Sequence, residues 1–168
     1  MKKRLLYVII ILSTPGFVMA QRSQNLTPGY QLTLEGANAL TSTARATATD
    51  LGKQVSIAVV DQSGLTILLS RGDGVGPHNT EAARRKAFTA LSTKTGTLLL
   101  GRKAKTNPDT ENLAYLPELL LLGGGVPLWY NNKVIGAIGV AGGGSAEADD
   151  QIAKSAATKI KEITVKKD

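Results

Sequence analysis

The sequence predicts a single α+β domain, an antiparallel sheet of two hairpins with flanking helices. Two observations carry this. Two pairs of short aliphatic runs, Val55–Asp61 with Leu65–Arg71 and Val126–Tyr130 with Lys133–Val140, are each separated by a few turn residues. Three other stretches carry apolar residues at every third or fourth position, the signature of a helix with one buried face. The order helix, hairpin, helix, hairpin, helix is that of an antiparallel sheet with helices packed on it.

Residues 1–20 stand apart from that pattern. Met1-Lys2-Lys3-Arg4 is basic, Leu5–Leu12 is almost wholly aliphatic, and Val18 and Ala20 are small residues placed for cleavage before Gln21. This is the layout of a secretory signal peptide, with an apolar run short for a membrane span; an uncleaved N-terminal anchor is the alternative. Lipoprotein processing is excluded, because the chain has no cysteine. Cleavage after Ala20 predicts a periplasmic or secreted protein and takes the formal charge from +7 to +4, since Lys2, Lys3 and Arg4 leave with the peptide. That mild balance, without basic stripes interleaved with aromatics, argues against nucleic acid as a partner.

Residues 21–32 are polar, contain Pro28-Gly29, and predict a flexible lead-in to a domain over 33–165. The first helix follows from Leu34, Ala37, Leu40, Ala44, Ala48 and Leu51, with Thr33 as N-cap and Gly52 at its end. Gln62-Ser63-Gly64 turns the first hairpin. A helix from about Asn79 or Thr80 to Ser92 buries Ala83, Ala87 and Leu91, and Thr97–Arg102 adds a helical turn or two. Lys103–Thr110, with Asn-Pro-Asp, predicts an exposed connection. Leu119–Leu122 fits either a strand or a buried turn. Asn131-Asn132 tolerates left-handed backbone and predicts a tight second hairpin. Gly136 and Gly139 inside its last strand call for close approach of another backbone. Ser145 caps a final helix with Ile152, Ala156, Ile160 and Ile163 on its apolar face, acidic residues in its first turns, and Lys159 and Lys161 in its last.

Little known enzyme chemistry fits these residues. Gly72-Asp-Gly-Val-Gly76 has the wrong spacing for a dinucleotide fingerprint, and neither triple glycine carries the Lys-Ser/Thr of a P-loop. Asp61, Asp73, Glu81 and Glu118 could supply an acid–base pair, but no spacing ties two together. Without cysteine, and with one histidine, a structural zinc site of cysteines and histidines and a three-histidine catalytic zinc site are both impossible. Both methionines, Met1 and Met19, lie in the predicted signal peptide, which leaves His78 as the soft ligand of the mature chain. It follows a glycine-rich turn and precedes the predicted helix, where backbone N–H groups gather and suit an anion or a ligand edge. The same turn serves equally well as a plain strand-to-helix connection. Arg71, Arg84, Arg85 and Lys86 could meet ligand carboxylates, although an arginine pair is more often a solvated helix face. Phe88 and Trp129 predict core.

Five motifs in register carry a resemblance: Val55–Asp61, Arg71-Gly-Asp-Gly-Val-Gly-Pro77, Arg85–Ala90, Leu122-Gly-Gly-Gly-Val-Pro127 and Val134–Gly143. Together they resemble the GlcG/HbpS family of haem-binding proteins, which also includes the C-terminal domain of PduO-type adenosyltransferases, over roughly Leu34 to Ile160. The resemblance implies a profilin-like sandwich of sheet and helices and a homo-oligomer, commonly an octamer in the secreted branch. It also implies affinity for haem or a related tetrapyrrole, used for haem scavenging or storage, or for redox sensing with a membrane sensor or transporter partner. Histidine and threonine have both been implicated as iron ligands in the family. His78 is therefore the first choice of axial ligand, with Thr110 and Asn112 as further contributors to the cofactor site. Arg71, Asp73 and Lys86 are candidates for propionate contact. The run Thr95–Gly101 departs from the polar, Glu-bearing helix usual in relatives. Two other readings stay open: a non-catalytic signalling or structural module acting through its oligomer surface, and a small-organic-acid enzyme.

Overall fold

The computed structural model describes Asn25 and residues 29–160. The predicted signal peptide, most of the lead-in, and Lys161 and Ile163 of the last predicted helix lie outside the described residues. The elements run α1 (Leu34–Asp50), β1 (Ser56–Asp61), β2 (Thr66–Arg71), α2 (His78–Thr93), α3 (Thr97–Ala104), α4 (Pro108–Glu111), a 3₁₀ turn (Asn112–Tyr115), β3 (Gly125–Tyr130), β4 (Lys133–Ala141) and α5 (Ala146–Thr158).

The four strands form one antiparallel sheet in the order β2-β1-β4-β3, so the two hairpins join through their inner strands. Alternation along β1 and β4 divides the core into two unlike layers. Ile57, Val59, Ile138 and Val140 face α1 and α5, where Leu40, Ala44, Ile152 and Ala156 complete the larger cluster. Ala58, Val60, Ala137 and Ala141 face α2, where they meet Ala83, Ala87 and Ala90. This second layer is almost entirely alanine, so α2 sits very close to the sheet. Gly139 belongs to that contact: a Cβ there would run into the Ala83 carbonyl and come 2.6 Å from the Ala87 nitrogen.

Local signals explain the remaining joints. The Thr33 hydroxyl caps α1 by accepting from the Gly36 N–H at 3.1 Å, and Ser145 caps α5 through the Ala148 N–H at 3.1 Å. Asp61 builds the first turn, its Oδ1 accepting from the N–H groups of Ser63 and Leu65 at 2.8 and 3.0 Å. Asn131 and Asn132 adopt φ of 45° and 59°, the left-handed pair that a two-residue hairpin turn demands.

Four expectations change. His78 is the first residue of α2, not a residue ahead of it, because Pro77 takes the N-cap position. The connection after Lys103 remains exposed but is partly helical; the Asn107 side chain accepts from the Asp109 N–H at 3.0 Å and Pro108 suits a first helical position. Leu119–Leu122 is not a strand, and of the expected buried turn Leu119 is buried while Leu122 is more than half exposed. Its backbone is held by α2 instead: Arg85 donates to the Pro117 and Leu119 carbonyls at 2.7 and 2.8 Å, and the Thr89 hydroxyl accepts from the Leu120 N–H at 2.8 Å. Trp129 is not core. It lies on the edge strand β3 and is 45% exposed.

Candidate functional site

A cleft of about 430 Å³ opens where α2 and α5 begin. Its walls come from three places in the chain: His78, Asn79, Ala82 and Lys86 of α2; Leu122 and Gly123 before β3; and the turn from Gly142 to Ala146, with Asp149 one turn into α5. The sheet topology makes this convergence. Strand β4 delivers its C-terminal end beside the start of α2, and the glycines after it turn the chain directly into α5. Gly142 and Gly144 take φ of 109° and 91°, open to glycine but strained for other residues.

The inner end of the cleft holds a buried ion pair. Lys86, 3% exposed, donates to Asp149 Oδ2 at 2.8 Å and to the Val140 carbonyl at 2.9 Å. Asp149 Oδ1 accepts from the Gly143 N–H at 2.7 Å. The pair thus ties together α2, the end of β4, the glycine turn and α5. Two of the three Lys86 ammonium protons are engaged within the protein. The two helix starts add the positive ends of their dipoles to the same cleft. The first turn of α2 has no side-chain cap, since Pro77 stands at that position. His78 lies exposed at the rim, and among the described residues its imidazole has no hydrogen-bond partner.

His78 and Lys86 therefore share one cavity. Arg71 and Asp73 are exposed on the approach to α2 and do not line it, nor do Thr110 in α4 and Asn112 in the 3₁₀ turn. The arginines of α2 work elsewhere. Arg84 bridges Glu81 and Glu118 at 2.7 and 3.1 Å, and its hydrogen bond holds the Glu81 carboxyl below the usual carboxylate range. Asp149 escaped residue-level reading, because its partner is 63 positions away and an acidic residue early in a helix already has a sufficient local explanation. Among the described residues no group of three or more histidine, cysteine or acidic side chains could hold a bare metal ion.

The architecture defines a small α+β domain with a cleft between two helix N-termini. A family model described as haem degrading protein HbpS-like matches residues 32–158, and the chain belongs to that family. It is 30% identical over 134 residues to an uncharacterised 15.0 kDa protein of Citrobacter freundii, encoded in the dhaT-dhaS intergenic region, covering 79% of this chain and 94% of that one. A double mutant of Streptomyces reticuli HbpS superposes with a TM-score of 0.74 at 38% identity, covering 87% of this chain and 96% of that one. A PduOC–haem complex superposes with a TM-score of 0.69 at 28% identity, over 77% and 94% of the two chains.

Proposed function

We propose that this protein binds haem in the cleft between α2 and α5, as an exported homo-oligomer serving haem scavenging, storage or haem-linked redox sensing. The observation that carries the reading is His78, a lone imidazole at the rim of a cleft, with no partner of its own among the described residues. An imidazole in that setting is a ready axial ligand for haem iron.

The remaining lining fits a flat, mostly apolar group with anionic edges. Gly123, Gly142 and Gly144 present bare backbone to the cleft, Ala82, Leu122 and Ala146 offer apolar contact, and the helix starts supply N–H donors. When bound, haem would supply the iron and its redox chemistry; the chain's part is to ligate, orient and partly shield it. The haem complex of a relative and the wording of the family description support the same reading.

Export rests on the signal-peptide pattern of residues 1–20. Assembly is supported by apolar side chains left in solvent from α3 onward: Leu99, Tyr115, Leu116 and Leu122 are each more than half exposed. A membrane sensor or transporter is the partner such an oligomer would address.

Haemin titration of residues 21–168 tests the proposal. The wild type should show saturable binding with a Soret shift, and His78→Ala should change the band and weaken affinity by at least about tenfold. An unchanged band and affinity in the variant would remove His78 from the role. Absence of saturable binding by the wild type would remove the haem reading altogether.

A further inference from the structure

We infer that the inner end of the cleft is a carboxylate subsite built on Lys86, and that it receives a propionate of the bound haem. The inference rests on the haem reading above and adds to it which edge of the ring faces inward.

Lys86 is the starting observation. A lysine is seldom buried, and this one is 3% exposed while lining the cleft. Its two protein acceptors, Asp149 and the Val140 carbonyl, account for two ammonium protons and leave the third available. Asp149 is held in place by a bond to each oxygen, Oδ1 from the Gly143 N–H and Oδ2 from Lys86, and its charge is balanced by the ammonium. The pair is neutral as a unit, so the local field is set by what surrounds it.

The acidic neighbours in α5 are paired elsewhere, Glu147 with Arg102 at 2.9 Å and Asp150 with Lys154 at 2.7 Å, which leaves the two helix starts to set the field. At α2, the Asn79 and Thr80 N–H groups turn back to the Gly76 and Pro77 carbonyls, and no side chain caps the His78 N–H. At α5, Ser145 covers the Ala148 N–H through its hydroxyl and the Asp149 N–H through its carbonyl. The N–H of Ala146, on the cleft wall, has no partner among the described residues. A buried cation with one proton to give, between two helix starts with unfilled donors, is a receptor for a carboxylate. His78 at the rim and Lys86 at the inner end then address different parts of one ligand: the metal at its centre and an acid at its edge.

The test compares haemin with haemin dimethyl ester, which keeps the ring and iron but has no free carboxylate. Wild-type protein should bind haemin on the order of tenfold or more tighter than the ester. The double variant Lys86→Met with Asp149→Asn removes the ammonium without stranding a buried charge, and it should bind both pigments alike. Its melting temperature and far-UV spectrum establish that it is folded. Equal affinity of the wild type for haemin and ester would overturn the subsite while leaving haem binding intact. Failure of both pigments to bind would overturn the haem reading and the propionate assignment together. A melting-temperature rise with succinate, without discrimination between the pigments, would assign the subsite to free carboxylates and likewise overturn the propionate assignment.

Discussion

Lys86 and Asp149 show how much one buried pair can organise. Their ion pair is 2.8 Å long, with both side chains less than a tenth exposed, and it joins elements that the sequence keeps 63 positions apart. Removing one partner strands the other charge in a dry place. Lys86→Met should therefore cost about 3–5 kcal/mol, read as a lower denaturation midpoint, because the Asp149 carboxylate is left uncompensated. Adding Asp149→Asn should recover most of that loss, since the amide oxygen can still accept from Gly143. Equal stability of the single and double variants would contradict this. At this scale the sequence was half legible. His78 and Lys86 were picked out by rarity and by motif. Asp149 and the glycine turn it holds could not be, because a contact made by tertiary packing leaves no local mark. Trp129 was misread for a related reason: a tryptophan in an apolar run suggests core, but only the strand order shows that this run is the sheet's edge.

Among the elements, α2 and β4 form the contact that places the cleft. Hydrophobic periodicity and turn chemistry were enough to find both hairpins, α1, α2 and α5, because each of those segments carries its own pattern, and α1 and α5 carry their own caps as well. The glycines within β4 were legible as points of close approach. The structure supplies what approaches: the α2 backbone at Gly139, and the Val60 carbonyl at Gly136. Gly139→Ala would drive a methyl group into α2 and should destabilise the fold by about 1–3 kcal/mol. Since α2 carries His78 and Lys86, ligand affinity should fall with it. A variant as stable as the wild type would show that α2 can ride further from the sheet than this packing allows. The segment Leu119–Leu122 was the least legible element. Four consecutive leucines say only that something is buried, whereas what fixes them is a hydrogen bond from Arg85 to the Leu119 carbonyl and one from the Leu120 N–H to the Thr89 hydroxyl.

Across the whole molecule, a layer of α1 and α5 and a layer of α2 enclose the sheet, and the cleft opens where two of these helices begin. The apolar side chains exposed from α3 onward predict assembly. In size-exclusion chromatography with light scattering, residues 21–168 should run as an oligomer, and Tyr115→Asp with Leu116→Asp should shift it toward monomer. A wild-type monomer would contradict that. The central claim is narrower: haem binds in the cleft between α2 and α5. Haemin titration of Ala146→Trp tests it most directly. Ala146 lies on the cleft wall at the first position of α5, where a larger side chain fills the cavity with little demand on the core. Loss of saturable haemin binding by a folded Ala146→Trp protein is the predicted result. Wild-type affinity in that variant would place the haem elsewhere and contradict the account.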